Sequence, residues 1–362
     1  MKVLILGGTG AIGKYLVELM ASENTVFVTS RHKHENHGNI KYICGNAHDI
    51  SFISKVCSER WDAIVDFMSY KTEEFKARVD IFLRATKQYV YISSARVYGD
   101  NEHPIKESSP RLLDVINDDV YLQTDEYALT KARQENILLT GQKQNYTIVR
   151  PYITYGTYRY QLGVMEKEEW LYRGLHGRTI LLPQEMLNCT TTMTYGYDVA
   201  YGIYRIVGNA KTLGEVFHIT NKYLLKWYEV FEIYRELIQN MGGYHLNMKE
   251  VSTDIFLKLR PDYLVYQLKY DRLYDRDFDT TKETEFADAD KFLTPKEGLS
   301  RCLAEFLKTP HWRGINWVYE ARKDKIAHEW TPLGEIAGLR NRIKYLINRY
   351  IKSLVSNKNW TR

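Results

Sequence analysis

Met1-Lys-Val-Leu-Ile-Leu6 runs without a break into Gly7-Gly8-Thr9-Gly10-Ala11-Ile12-Gly13. The apolar run at 3–6 reads as a buried parallel strand, and the glycines behind it decide the fold. Gly7 and Gly10 permit a tight turn, and the missing side chain at Gly10 lets backbone N–H groups approach a pyrophosphate. Gly13 lets a helix beginning near Ala11 pack closely on the strand, its positive end toward the phosphates. Glycine-rich turns are common, so the pattern alone says little. Its position, directly after a strand and before an amphipathic stretch (Ile12, Leu16, Leu19, Met20), makes it specific.

Further apolar runs at 25–29, 40–44, 63–67, 89–92 and 147–150 alternate with helical patterns that begin near Ala11, Ile50, Thr72 and Asp125. That rhythm predicts an α/β fold, a Rossmann-like doubly wound parallel sheet with its ligand crevice at the strands' carboxyl ends. The dinucleotide-binding domain spans 1–156, and a late strand near 216–220 returns to it. Residues 157–321 are irregular and rich in aromatics and charge, and are expected to build a smaller C-terminal substrate lobe over the crevice. A connector at 322–332 leads to a basic amphipathic helix at 338–362.

With 362 residues, 44% hydrophobic and 26% charged, the chain has the make-up of a soluble globular protein with ample core. The first apolar run is too short for a signal peptide or membrane span. Cys44, Cys57, Cys189 and Cys302 are scattered, without a C-x-x-C pair, which argues against a zinc site or disulfide framework and for a cytoplasmic setting. No metal ligands are expected. Residues 338–362 carry seven cations and no acid, so the first 337 residues hold −2 of the +5 total. The body is therefore no nucleic-acid surface on charge alone, and nucleic acid is disfavoured as a partner.

Among 29 tyrosines, spacing singles out one. Tyr127-Ala-Leu-Thr-Lys131 puts a phenol and an ammonium four residues apart on one helix face. An ammonium beside the ring favours the phenolate, lowering a pKa that is otherwise near ~10. Upstream, the run at 89–92 ends in Ser93-Ser94-Ala95-Arg96-Val97-Tyr98-Gly99. Thr124 is a good N-cap for the helix, with Asp125 and Glu126 in its first turn complementing the dipole.

These motifs resemble the extended short-chain dehydrogenase/reductases, the NAD-dependent epimerase/dehydratase family of nucleotide-sugar enzymes. The resemblance runs in motif order over about residues 1 to 310 and is specific to about residue 156. It implies a catalytic set in which Ser94 holds the substrate oxygen, Tyr127 transfers the proton and Lys131 tunes the tyrosine while binding the nicotinamide ribose. It further implies cofactor contacts from Gly7, Thr9, Gly10, Ala11, Ile12 and Gly13 at the phosphates, from Asp49 and Ile50 at the adenine, and from Tyr152 in the loop Arg150-Pro151-Tyr152-Ile153-Thr154-Tyr155-Gly156. Relatives that prefer NAD place an acid at the end of the second strand. Here Thr29-Ser30-Arg31-His32-Lys33 has none, and Ser30 and Arg31 suit a 2′-phosphate. NADP is the expected cofactor, with NAD the alternative.

The substrate motifs depart from the family pattern. Sugar 4,6-dehydratases follow their catalytic hydroxyl with an Asp-Glu pair; Ala95 and Arg96 stand there, so dehydration is disfavoured. Ile153 replaces a usual asparagine, and Thr191 a usual diphosphate-binding arginine, leaving Arg159, Arg173 or Arg178 as candidates for that role. Asp66-Phe67-Met68-Ser69-Tyr70 replaces a small His-x-Ala-type segment, which resembles the branch of chloroplast stem-loop RNA-binding proteins. The expected function is a nucleotide-sugar epimerase or keto-sugar reductase acting as a homodimer. The alternative is a dinucleotide-binding protein whose main partner is RNA or another protein. In the tail, Leu339, Ile343, Leu346, Ile347, Tyr350, Ile351 and Leu354 recur at helical spacing among cations. Packing of this helix on its own lobe or a second subunit is the first expectation, and peripheral contact with anionic lipid the second.

Overall fold

Strands buried on both faces need unbroken apolar runs, and those runs supply a seven-stranded sheet. The computed structural model describes residues 1–260 and 264–352. In chain order the strands are β1 (Lys2–Leu6), β2 (Thr25–Ser30), β3 (Ile40–Cys44), β4 (Trp61–Asp66), β5 (Thr86–Ile92), β6 (Tyr146–Pro151) and β7 (Val216–Ile219). Their spatial order is β7-β6-β5-β4-β1-β2-β3, and every pairing is parallel. The chain steps outward from β1 to β3, then returns to pair β4 on the far side of β1. The order therefore reverses between β1 and β4, where doubly wound sheets open their crevice at the carboxyl ends.

Alternation along the strands assigns the two faces. Val3 and Ile5 of β1 pack with Leu16 and Met20 of α1 (Gly13–Ala21), while Leu4 and Leu6 pack on the opposite face with Ile53, Phe75 and Phe82. Those three belong to α2 (Ile50–Val56), α3 (Thr72–Lys76) and α4 (Val79–Ala85). Each fully buried aliphatic side chain contributes about 1.5–3 kcal/mol, and a one-residue slip of β1 would send every one of them to the opposite face. α5 (Tyr127–Leu139) sends Leu138 into the second face, and α6 (Gly196–Ile206) sends Val199, Ile203 and Ile206 into the first.

The chain forms two compact units. The first comprises Met1–Gly156, Thr192–Leu224 and Arg276–Gly298 and holds the entire sheet. The second comprises Thr157–Thr191, Leu225–Asp275 and the residues from Leu299 onward. It contains a parallel pair, Ile180–Pro183 with Met248–Val251, and the helices α7 (Trp227–Gly242), α8 (Trp317–Ala327) and α9 (Leu339–Leu346). Residues 322–327, expected to begin a connector, complete α8, because Asn316 caps it and His328 closes it in the left-handed conformation.

The tail helix packs through Tyr345, outside its apolar repeat, and through Leu346, within it. Tyr345 is buried with Tyr172, Trp317, Ala321 and Ile336, and its hydroxyl accepts from the Thr331 amide (2.8 Å) and donates to Asp324 (2.5 Å). Other members of the repeat face outward: Leu339 is 73% exposed, Ile351 77%, and Ile343 and Tyr350 are exposed as well. Leu354, Lys358 and Arg362 lie outside the described residues. Among the described residues no helix is long and apolar enough to cross a membrane.

Candidate active site

The turn after β1 is built as its glycines require. Gly7 has φ +72°, and the Gly10 amide donates to the Gly7 carbonyl at 3.2 Å. The helix starts at Gly13 rather than near Ala11, with Ile12 as an N-cap whose side chain makes no capping bond. Thr9, Gly10 and Ala11 are exposed at a helix N-terminus, a fitting place for a pyrophosphate. A Cβ on Gly13 would stand 2.7 Å from the Gly8 Cα. Gly8 is needed for a reason the motif does not reveal: a Cβ there would meet Val28 at 2.9 Å.

At the end of β2 the Ser30 hydroxyl accepts from the His32 amide (3.2 Å) and lies 3.0 Å from the His34 ring, which stacks on Tyr42. Arg31 beside it is exposed. Asp49 caps α2, accepting from the Ser51 hydroxyl (2.8 Å) and amide (2.9 Å), and those bonds hold its carboxyl below the usual range. Ile50 follows it on the surface. Tyr152 is buried, with its ring 5.2 Å from Phe278, so its side chain packs within its unit. Next to it Ile153 adopts φ +29°, a conformation that a β-branched residue adopts only under strain.

The catalytic candidates converge at the end of β5. Lys131 is buried, and its ammonium donates to the Ile92 carbonyl at 2.7 Å, two residues before Ser94. The same nitrogen stands 5.9 Å from the centre of the Tyr127 ring. Burial brings the Lys131 ammonium down to about 8, against the opposing pull of the Asp66 and Glu135 carboxylates. Tyr127, the first residue of α5, is 39% exposed, and a cavity of about 350 Å³ lined by Ser69, Tyr70, Lys71, Thr130 and both members of the pair opens beside it. Ser94 caps the short turn Ala95–Val97 by accepting from the Arg96 amide at 3.2 Å.

Behind these residues lies a charged layer. Glu135, one turn beyond Lys131, is fully buried and accepts two bonds from Arg150 (2.9 and 2.7 Å), one from Arg111 (3.2 Å) and one from the Ser93 hydroxyl (2.6 Å). Burial alone would raise its carboxyl, but Arg150 holds it below the usual range. Asp66 is also buried, which pushes its carboxyl up, and it accepts from the Tyr89 hydroxyl (2.8 Å) and the Met68 amide (2.9 Å).

The cap of α5 differs from the expected one. Glu126, not Thr124, is the N-cap: its carboxylate accepts from the Ala128 amide (2.8 Å) and the Tyr121 hydroxyl (3.0 Å), while Thr124 supports it by accepting from the Glu126 amide. The arginines weighed for a diphosphate fare unequally. Arg173 is fully buried against Glu320, Asp324 and Glu329, and Arg178 is buried against Glu335, so both are structural. Arg159 stays half-exposed, 3.5 Å from Glu166.

The chain is 25% identical over 274 residues to the chloroplast stem-loop binding protein of 41 kDa b of Arabidopsis thaliana, covering 69% of this chain and 67% of that protein. Its fold is similar to that of the epimerase Mth375 from Methanothermobacter thermautotrophicus (TM-score 0.65, 17% identity, covering 85% of this chain and 92% of that one). It is also similar to UDP-glucuronic acid 4-epimerase from Bacillus cereus, solved with UDP-glucuronic acid and NAD (TM-score 0.62, 16% identity, 86% and 100%). Residues 3–220, which include the glycine turn, Ser94, Tyr127 and Lys131, match the model of one family. The chain belongs to the NAD dependent epimerase/dehydratase family.

Proposed function

We propose that this chain is a nicotinamide-dinucleotide-dependent oxidoreductase that epimerises or reduces a nucleotide-activated sugar through Ser94, Tyr127 and Lys131. The observation that carries the reading is the buried Lys131 ammonium, bonded to the Ile92 carbonyl and standing over the Tyr127 ring at the carboxyl end of the sheet. In the oxidative direction the Tyr127 phenolate takes the proton from a substrate hydroxyl that Ser94 holds. In the reductive direction the Tyr127 hydroxyl gives it back to the ketone oxygen. Lys131 keeps a positive charge beside the phenolate, and its remaining N–H groups would serve the nicotinamide ribose. The glycine turn would hold the pyrophosphate, Asp49 and Ile50 the adenine, and Arg31 a 2′-phosphate. When bound, the dinucleotide supplies the hydride donor or acceptor.

Membership of the family and the likeness to an enzyme solved with a nucleotide sugar support the substrate class; Ala95 and Arg96 argue against dehydration. Native mass spectrometry of the purified chain, followed by titration with NADPH and NADH, tests the cofactor. The reading expects at least tenfold tighter binding of NADPH. Equal or tighter NADH binding would overturn the NADP assignment, and binding of neither would overturn the enzyme.

The second reading, a dinucleotide-binding protein whose main partner is RNA or another protein, draws on the stem-loop binding relative. Separately, the tail offers peripheral contact with a membrane. Exposed Leu339, Ile343 and Tyr350 lie among Arg340, Lys344 and Lys352, a pattern that suits an anionic lipid surface better than bare cations would. Co-sedimentation with anionic vesicles, lost on deleting 338–362, is the expected result; equal pelleting without the tail would refute it.

A further inference from the structure

Arg96 stands where dehydratases of this family carry an acid, and the structure gives it a specific set of contacts. Its backbone amide donates to the Ser94 hydroxyl at 3.2 Å. Its guanidinium donates at 2.6 Å to Glu126, the N-cap of the helix that begins with Tyr127. The pair is sheltered, with side chains 13% and 9% exposed. The guanidinium carbon also lies 5.3 Å from the centre of the Tyr127 ring, slightly closer than the Lys131 ammonium at 5.9 Å.

We propose that Arg96 is a positioning residue for proton transfer, tying the Ser94 loop to the cap of the Tyr127 helix and setting a second cation beside the Tyr127 ring. The proposal deepens the reading above and rests on Tyr127 as the proton-transfer group. The charged and titratable groups around that ring are Arg96 from the loop after β5, Tyr91 from β5, Glu126 and Lys131 on either side of it along the chain, and Lys71, Glu74 and Asp125 around the adjoining cavity. Of these, Arg96 and Glu126 form a matched pair of opposite sign. Removing the arginine withdraws a cation and bares a carboxylate, and both changes disfavour the phenolate. Removing the carboxylate takes a negative charge from beside the ring and favours it.

The two halves of one ion pair must therefore act in opposite directions on Tyr127, whereas a purely structural pair would loosen the same cap in either variant. Tyrosine labelled with ¹³C at Cζ lets Tyr127 be titrated by NMR in the protein alone, assigned by its loss in Tyr127→Phe. Arg96→Met is expected to cut the phenolate fraction at a fixed pH about threefold to tenfold, and Glu126→Gln to raise it. Arg96→Lys should restore part of the effect, and Arg96→Gln replaces Arg96→Met should that variant fail to fold. Unmoved titrations, or shifts of the same sign in both variants, would overturn the proposal. The readout needs neither cofactor nor substrate, so it separates failure of this inference from failure of the enzyme reading.

Discussion

Arg150 is buried against one carboxylate and Arg173 against three, one arginine in each compact unit, and they serve different ends. Arg173 sits on the short helix Leu171–Leu175 and meets Glu320 and Asp324 of α8 and Glu329 just beyond it, while Asp324 in turn receives Thr331 and Tyr345. Burial opposes its charge, but Glu320 and Asp324 hold the guanidinium above its ordinary value. That network joins helices. Arg150 on β6 instead fixes Glu135, whose other partners are Arg111 and the serine next to Ser94, and whose helix carries Lys131 one turn earlier. The same chemistry staples one unit and backs the candidate site of the other. Burial of an arginine is therefore no guide to its role until its partners are named.

The contrast can be broken experimentally. Arg173→Met takes a cation from Asp324 and Glu329 and leaves Glu320 with Lys323 alone, and it should cost ~3–5 kcal/mol in urea unfolding, with kcat of the folded protein unchanged. A fall in kcat at unchanged stability would reverse the assignment. Glu135→Gln should cost about 3 kcal/mol and also lower turnover, because Ser93 and Lys131 lose a charged neighbour. Loss of stability without loss of turnover would reduce it to a staple like the other. The pH dependence sharpens the same point. Glu135 is held below its ordinary value of 4.5, so its contribution is fully present above that value and is lost as pH falls through the lower folded one. Acid unfolding of Glu135→Gln should lack that component; an acid limb identical to that of the parent would contradict the linkage.

The parallel sheet is legible in sequence because buried strands are unbroken apolar runs and because Gly7, Gly10 and Gly13 follow the first of them at once. Tyr127 and Lys131 are legible for a similar reason, since four residues on a helix is a local distance. What stays hidden depends on partners far apart in sequence. Gly8 answers to Val28, and Arg96 to a carboxylate thirty residues away. Arg173 and Arg178 read as phosphate ligands only while Glu320, Asp324 and Glu335, about 150 residues on, are unseen. The tail shows the limit of periodicity. Its apolar repeat predicts a packed face, and the helix does pack on its own unit, but through Tyr345 and Leu346, with Leu339, Ile343, Tyr350 and Ile351 of the repeat left exposed.

The most direct test of the account is Tyr127→Phe, assayed for dinucleotide binding and for turnover of a nucleotide-sugar substrate in the same preparation. The proton-transfer role predicts unchanged cofactor affinity with turnover reduced by about 10²–10⁴-fold. Turnover within a few-fold of the parent, at equal cofactor affinity, would contradict it.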